Sequence, residues 1–452
     1  MIKGTHKHYK WEVLALLWMA YLLNQADRQV FNTVLPQIKE AFSIGNTEVG
    51  LIATIFNLCY AIMVPLGGLA GDRLSRKWVT TIAIIFWSVA TMFTGLATGV
   101  IMLILLRSVA TGGGEAFFGP ANYSLLGQYH TDTRARAMAI HQTSYYVGVI
   151  LAGWLAGYIA QSLGWQYSFI IFGAAGVIWG IVMIFRLKDK KEDCHVADAK
   201  GSVVIPSVVE ESKPGLLDGF KVVFTTPTAL ILTIGFSGFI FVITGYMTWV
   251  PAFLQGEYGL SITDAGLHSM LWTYVAAFAG VLLAGTLSDK MAVRDRKVRM
   301  VIQGIGLLLG SVFLFFVQAS TPVWIVYLSF AGWGFFRAFF DANIYTVLYD
   351  VTPSRLHASC SSALITTGFA VGALAPVILG MLIPEPEAMV SFAGDCNSWS
   401  VVTKGATPEE ISASWTVAFK VLAAVWIACG AMMLWASKKF YQKDYDNINN
   451  TL

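Results

Sequence analysis

The sequence predicts an all-α membrane protein with twelve transmembrane helices, arranged as two pseudo-symmetric bundles of six. Its composition, the length of its apolar runs and an internal repeat all support this fold class. Of the 452 residues, 56% are hydrophobic and 13% are charged, whereas an ordinary soluble domain carries roughly 25% charged residues. Too few polar residues remain to cover a water-exposed surface, so the chain is expected to lie in lipid.

Twelve apolar runs are long enough to cross a bilayer, which takes about 20 residues in a helix. Each run is bounded by polar or charged residues, and several exceed the minimum length and leave room for tilt. The predicted spans are 11–36, 47–70, 79–98, 101–128, 137–161, 166–186, 223–254, 263–286, 300–318, 322–350, 357–383 and 413–437.

The distribution of Lys and Arg predicts which side of the membrane each loop occupies. Alternate loops carry basic clusters, for example Lys188, Lys190 and Lys191, whereas the loops between them hold only Lys39 and Lys404. Positively charged loops stay in the cytoplasm. Both termini are therefore predicted to be cytoplasmic, in a multi-pass protein of the cell membrane.

A long polar segment divides the spans into two sets of six. It runs from about 187 to 222 and is rich in charged residues at its start. The predicted organisation is an N-terminal bundle over 1–186, a cytoplasmic linker over 187–222 and a C-terminal bundle over 223–452.

The two halves repeat short patterns at corresponding places. The fourth span carries Glu115-Ala-Phe-Phe, and the tenth carries Arg337-Ala-Phe-Phe. Duplicated halves around a central site are the usual build of secondary transporters. After the second and eighth spans, each half also has a glycine, three residues, an aspartate and a cation: Gly68, Asp72 and Arg73, then Gly285, Asp289 and Lys290.

The segment 68–77 resembles the loop signature of the major facilitator superfamily, with Ser75 where that signature usually has glycine. The resemblance covers the whole chain and implies the major facilitator fold. It also implies that Gly68 lets two helices approach closely. The alternative for the loop cations is that they only set the topology. The residues expected to take part in conformational gating are Gly68, Asp72, Arg73, Arg76 and Asp289.

Charged residues interrupt the first span, although a charge at the bilayer centre costs roughly 3 kcal/mol or more. Tyr21, Asn24 and Arg28 share a helix face, and Asp27 lies beside it. The stretch Asn24 to Arg28 resembles the first helix of two subfamilies, the anion:cation symporters and the spinster-like carriers. By that resemblance Arg28 binds a substrate anion and Asp27 carries a proton. The alternative is a buried ion-pair network that only fixes helix packing.

The fourth span carries Arg107 and, after three glycines, Glu115. The glycines allow another helix to come close, and a carboxylate in such a confined place suits a proton carrier. Asn122 lies seven residues further on the same face and is expected to contact substrate. In the two subfamilies the Glu follows the Arg by seven residues, but here it follows by eight. The role of Arg107 therefore stays open between substrate contact and structural ion-pair partner.

Two further spans carry candidate substrate contacts. Arg337 and Asp341 in the tenth span are either a second anion site or an intrahelical ion pair. His141, in the fifth span, is expected at the protein surface near the cytoplasmic side of the membrane. One face of the fifth span carries an amide and two aromatic side chains of the kind that line sugar and carboxylate sites: Gln142, Tyr145 and Tyr146.

These features favour a secondary transporter driven by a proton gradient that carries a small organic anion, such as a sugar acid, by symport. The resemblance also allows a spinster-like carrier of lysolipid or sphingoid lipid. A third hypothesis, from another functional class, is that the chain is a membrane sensor that does not transport.

The motifs of several other protein classes are absent from the sequence. It has no P-loop, HExxH pattern or nucleophile elbow. We therefore expect no enzymatic activity, no metal and no cofactor. The expected partners are a small, anionic substrate and the bilayer, with no nucleic acid, and the chain is expected to function as a monomer.

Overall fold

The computed structural model describes residues 5–130, 133–188, 216–353, 356–385, 388–391, 400–403 and 405–449. These residues form α-helices, one π-helical segment and a two-stranded antiparallel hairpin. The first half contains α1 Thr5–Thr33, α2 Leu35–Phe42, α3 Asn46–Arg73, α4 Arg76–Thr94, α5 Val100–Leu103, the π-helix Ile104–Thr111, α6 Gly112–Tyr129, α7 Arg134–Leu163 and α8 Trp165–Arg186. The second half contains α9 Leu216–Thr225, α10 Pro227–Tyr258, α11 Ile262–Ala292, α12 Val298–Phe315, α13 Val323–Asp341, α14 Ile344–Asp350, α15 His357–Gly372, α16 Ala375–Leu382, β1 Ala388–Ser391, β2 Ser400–Thr403, α17 Pro408–Lys439 and α18 Tyr441–Asn449.

Within these described ranges, eleven helical segments are long and apolar enough to cross a membrane. Their bounds follow the prediction closely; for example, the span predicted at 166–186 is α8. The first helix, α1, has 29 residues, which is also long enough to span. Its polar residues lower its hydropathy, but it packs beside the spanning helix α7. The predicted all-α membrane fold is therefore confirmed.

The helices pack mainly within each half of the chain. In the first half α1 packs on α7, α3 on α6 and α4 on α8; in the second, α11 packs on α13, α12 on α17 and α10 on α15. The halves meet where α7 packs on α11 and where α3 packs on α16. Most of the predicted linker, 189–215, lies outside the described residues, so the domain boundaries stay a prediction.

The halves are closed against each other at one face of the molecule. We call the face where α8 ends and α9 begins the linker face, and the opposite one the far face. Toward the far face, Gly153 lies so close to Gly266 that a side chain on either would collide with the other's backbone. Lys39 and Glu385 join the two halves there, with Nζ to Oε2 at 3.0 Å. The contact between the halves therefore closes the far face.

Gly68 does not lie at a close helix approach in this structure, so its predicted role there stays a prediction. A Cβ at Gly68 would meet nothing within 4 Å, and the same holds for Gly285. The close approach is made one residue earlier, where a Cβ on Gly67 would lie 2.8 Å from the Cα of Phe117 in α6. Neighbouring residues of a helix point about 100° apart, so Gly67 faces α6 and Gly68 faces open space.

Candidate functional site

A cavity of about 450 Å³ lies between the two halves. This volume falls within the range of roughly 300–1,000 Å³ that is usual for small-molecule sites. The cavity is lined from both halves, as a site for alternating access requires. The predicted residues that line it are Tyr21, Asn24, Arg28, Arg107, Glu115, Gln142, Tyr145, Tyr146, Arg337 and Asp341.

Arg28 and Glu115 form an ion pair in the wall of this cavity. Arg28 Nε donates to Glu115 Oε2 at 2.5 Å, with the carboxylate fully buried and the arginine side chain 17% exposed. The guanidinium lies 4.3 Å from the ring centroid of Tyr60, where cation–π attraction stabilises it. The structure therefore places the predicted anion-binding group in direct contact with a predicted proton-carrying group.

The π-helix explains the unusual spacing between Arg107 and Glu115. In a continuous α-helix, eight residues would turn Glu115 about 80° away from Arg107. The π-helix contains Arg107 and ends at Thr111, before Glu115, and its wider turn accommodates the extra residue. As a result both side chains line the cavity. Arg107 lies 4.3 Å from the ring centroid of Phe56, and its Nη2 donates to the backbone oxygen of Arg28 at 3.3 Å.

Asp27 lies behind the cavity wall rather than in it. Its side chain is buried, and Oδ2 accepts a hydrogen bond from the Thr91 hydroxyl at 2.6 Å. Its other oxygen, Oδ1, has no hydrogen-bond partner among the described residues. Thr91 lies in the last turn of the apolar helix α4, and nothing in the sequence marked it as a partner of Asp27.

His141 is buried, so its expected surface position is wrong. Its ring stacks on Tyr21 with centroids 4.9 Å apart, and its Nε2 lies 3.0 Å from Asn122 Nδ2. Asn122 is itself fully buried in this contact and is not among the lining residues of the cavity. The structure thus corrects its expected direct contact with substrate: Asn122 holds His141, which supports the ring of Tyr21.

The second half contributes a matching group of polar side chains. Arg337 is buried, and its Nη2 lies 3.5 Å from Asp341 Oδ2. Its guanidinium carbon lies 5.0 Å from the ring centroid of Tyr274. The hydroxyl of Tyr274 in turn shares a hydrogen bond of 2.9 Å with that of Tyr145, on the other half. Arg337 therefore lies next to a hydrogen bond that joins the two bundles.

The predicted gating residues lie near the linker face. The side chain of Asp72 lies outside what the structure describes. Arg73 is exposed, and Arg76 Nε donates to the Gly71 backbone oxygen at 3.3 Å. The exposed carboxylate of Asp289 forms an ion pair of 3.6 Å with Arg299. Their role in gating stays a prediction.

A second carboxylate extends the Asp289–Arg299 contact. Arg299 also donates to Asp350 at 3.2 Å, and the Tyr441 hydroxyl donates to the same carboxylate at 2.8 Å. Burial of Tyr441, together with the charge of Asp350, raises the pKa of its hydroxyl. These contacts fix the start of α12 and α18 to the end of α14.

Within the described residues, no group of three His, Cys, Asp or Glu is placed to hold a metal ion.

Spanning helices that pack as two halves around a central cavity with buried arginine–carboxylate pairs are typical of a multi-pass membrane transporter. Comparison with family models gives a match over residues 17–376 to the family described as Major Facilitator Superfamily. The match covers well over half of the chain, and the chain therefore belongs to the major facilitator superfamily.

Several relatives cover most of the chain at low identity. The hexuronate transporter of Bacillus subtilis is 24% identical over 387 residues, 83% of this chain and 88% of that protein. The D-galactonate transporter of Escherichia coli is 26% identical over 386 residues, 82% and 88% respectively. A probable galactarate/D-glucarate transporter of Escherichia coli is 26% identical over 411 residues, 85% and 90%. All are transporters, which confirms the prediction that the chain is not an enzyme.

Solved structures show the same fold. One is a bacterial homologue of the human lysosomal transporter Spinster in an inward-facing and occupied conformation. It has a TM-score of 0.75 at 20% identity, and the match covers 96% of this chain and 98% of that one. The nucleoside transporter NupG has a TM-score of 0.66 at 13% identity, with 95% and 99% covered. At these identities the likeness shows the fold alone.

Proposed function

We propose that the chain is a secondary active transporter that carries a small organic anion, a sugar acid or a related carboxylate, together with protons. The observation that carries this proposal is the Arg28–Glu115 ion pair in the cavity wall. It places an anion-binding guanidinium beside a carboxylate that can release it. The relatives named for hexuronate, galactonate and galactarate or glucarate transport support a sugar acid as cargo.

Glu115 and a substrate carboxylate would compete for the same guanidinium. A charged Glu115 holds Arg28 through their ion pair of 2.5 Å. A proton on Glu115 removes its charge and leaves Arg28 for the substrate anion, which forms a charge-assisted hydrogen bond with it. Loss of that proton restores the Arg28–Glu115 pair and expels the anion. Proton and anion therefore bind together and leave together.

Asp27 and Arg107 would extend this coupling behind the wall. The buried Asp27 accepts one hydrogen bond from Thr91 and has room for a proton on its free oxygen. Arg107 donates a hydrogen bond to the backbone oxygen of Arg28, so movement of the first helix would also move Arg107. We assign Asp27 as a second proton site. The positive charge of Arg107 balances the negative charges of the buried Asp27 and Glu115 carboxylates.

Rocking of the two bundles would then move the loaded site from one side of the membrane to the other. A cavity whose charges are balanced by substrate and proton is less costly to close than one with an unpaired charge. The structure is closed at the far face, so it corresponds to the state that opens toward the linker face. We assign the linker face and both termini to the cytoplasm of a cell-membrane protein, because basic loops stay inside. A proton gradient drives the cycle without a cofactor.

The test is thermal stabilisation of the purified protein by ligands, at mildly acidic and neutral pH. The panel contains D-galactonate, galactarate, a hexuronate and a lysolipid. We expect stabilisation by at least one sugar acid, and we expect Arg28→Gln to weaken its binding by about tenfold or more, since a charge-assisted contact is lost. Arg186→Gln is the matched control, because that arginine pairs with Glu12 at the surface. Stabilisation by lysolipid alone, insensitive to Arg28→Gln, would replace the sugar acid with a lipid cargo.

A further inference from the structure

The cavity has a second arginine–carboxylate pair on the wall opposite Arg28. Arg337 and Asp341 both line the cavity, in the second half of the chain. Their contact is a single one, Nη2 to Oδ2 at 3.5 Å, whereas Arg28 and Glu115 approach to 2.5 Å. The Asp341 side chain is 33% exposed, and Arg337 is almost fully buried. Asp341 therefore holds Arg337 loosely and can move away from it.

Most of the Arg337 guanidinium lacks hydrogen-bond acceptors. Its Nε and Nη1 have no partner in the part of the chain that the structure describes. The ring centroids of Tyr274 and Trp333 lie 5.0 and 5.7 Å from the guanidinium carbon. These ring faces stabilise the positive charge but accept no conventional hydrogen bond. Leaving buried charged donors unfilled is unfavourable. An anionic group that enters the cavity would relieve this and would compete with Asp341, as the substrate competes with Glu115.

The internal repeat relates Arg337 to the carboxylate of the first pair. Arg337 occupies the position in the second half that Glu115 occupies in the first, each followed by Ala-Phe-Phe. Each half thus places an arginine–carboxylate pair at the cavity wall, and the first half adds Arg107. A ligand with a single carboxylate can fill one of these arginines, whereas a ligand with a carboxylate at each end can fill both.

We propose that the substrate is a sugar diacid, with one carboxylate bound by Arg28 and the other by Arg337. This inference rests on the proposed function and narrows its substrate class. The diacid bridges the two bundles, and its second carboxylate lies beside the Tyr145–Tyr274 hydrogen bond that joins them at 2.9 Å. A monoacid leaves Arg337 with Asp341 alone.

The test compares galactarate with D-galactonate, which differ in having a carboxylate or a hydroxymethyl group at one end. Calorimetric titration of the intact protein should show galactarate binding about tenfold or more tightly. Arg337→Gln should remove this preference by weakening galactarate, with galactonate affinity changed by less than about twofold. Arg337→Lys should restore part of the preference. Arg294→Gln, an exposed arginine on the same half, should have no effect.

Asp341→Asn is a second variant that keeps the test independent of how well Arg337→Gln folds. It removes the competitor of the second carboxylate, so galactarate should bind severalfold more tightly and galactonate should not. The inference is overturned if the wild-type protein binds both acids equally, or if Arg337→Gln weakens both equally. Failure of the proposed function looks different, because no sugar acid of the panel would bind or Arg28→Gln would leave the affinity of every bound acid intact.

Discussion

The hydrogen bond from Thr91 to Asp27 shows how a single neutral residue can set the chemistry of a buried charge. Asp27 is buried, and the Thr91 hydroxyl at 2.6 Å is the donor that the structure gives it. A buried carboxylate without a donor costs folding free energy, because it has lost its hydration without replacement. Thr91 is therefore expected to matter for stability and for transport, although it lies in an apolar helix.

We predict that Thr91→Val destabilises the protein by roughly 1–3 kcal/mol, the cost of leaving a buried polar group unsatisfied. Valine has nearly the shape of threonine, so the change removes the hydroxyl with little effect on packing. Thr80→Val is the matched control in the same helix, because the Thr80 hydroxyl is buried without a partner in the described residues. Thermal unfolding in detergent measures both, and equal effects of the two variants would show that the Thr91 hydroxyl contributes nothing particular.

At this scale the sequence predicted the charged residues better than their surroundings. The cost of intramembrane charge identified Arg28, Asp27 and Glu115, and the structure brings them to one region of the first bundle. Their neutral partners were missed, because a threonine or a tyrosine in an apolar helix has many possible neighbours. The burial of His141 was missed for the same reason: its partner Asn122 comes from another helix.

Among the elements, the π-helix has the clearest relation to the site. It occupies Ile104–Thr111 and includes Arg107. The glycines that lead to Glu115 follow immediately after its end. A π-helical turn contains more residues than an α-helical turn, so it can absorb an insertion without turning the following helix. The spacing of eight residues is therefore compatible with the same arrangement that a spacing of seven gives in a regular α-helix.

We predict that deleting Val109 leaves ligand binding within a few-fold of the wild-type value. The deletion gives a spacing of seven, which a plain α-helix accommodates with Arg107 and Glu115 on one face. The side chain of Val109 is 44% exposed, so little packing is lost. Insertion of an alanine after Val109 should instead weaken binding by about tenfold or more. Calorimetric titration measures both, and loss of binding in the folded deletion variant would contradict this role of the π-helix.

The helices themselves could be predicted from the sequence almost completely, but their interruptions could not. The predicted span 322–350 is divided into α13 and α14 around Asn343, and 357–383 into α15 and α16 just before Pro376. Hydropathy reports whether a segment is apolar and says nothing about how its backbone bends. The sequence pattern likewise pointed to Gly68 for the close helix approach, whereas Gly67 makes it in the structure. A glycine pattern alone does not show which face of a helix meets its neighbour.

For the molecule as a whole, the contacts between the halves determine which face is closed. The backbones at Gly153 and Gly266 touch toward the far face, and Lys39 pairs with Glu385 there. Gly68 and Gly285 face open space. The far-face contact must separate when the site opens to that side. The Tyr145–Tyr274 hydrogen bond also joins the halves at the cavity, which Tyr145 lines.

The most direct test of proton-coupled anion transport is uptake of the best-binding labelled sugar acid by proteoliposomes under an imposed proton gradient. We predict that the wild-type protein accumulates the anion only with the gradient and stops when a protonophore collapses it. Glu115→Gln should lose accumulation yet still exchange internal for external anion, because a neutral glutamine leaves Arg28 free to bind. Accumulation that ignores the gradient, or that persists in Glu115→Gln, would contradict the proposed coupling between Glu115 and Arg28.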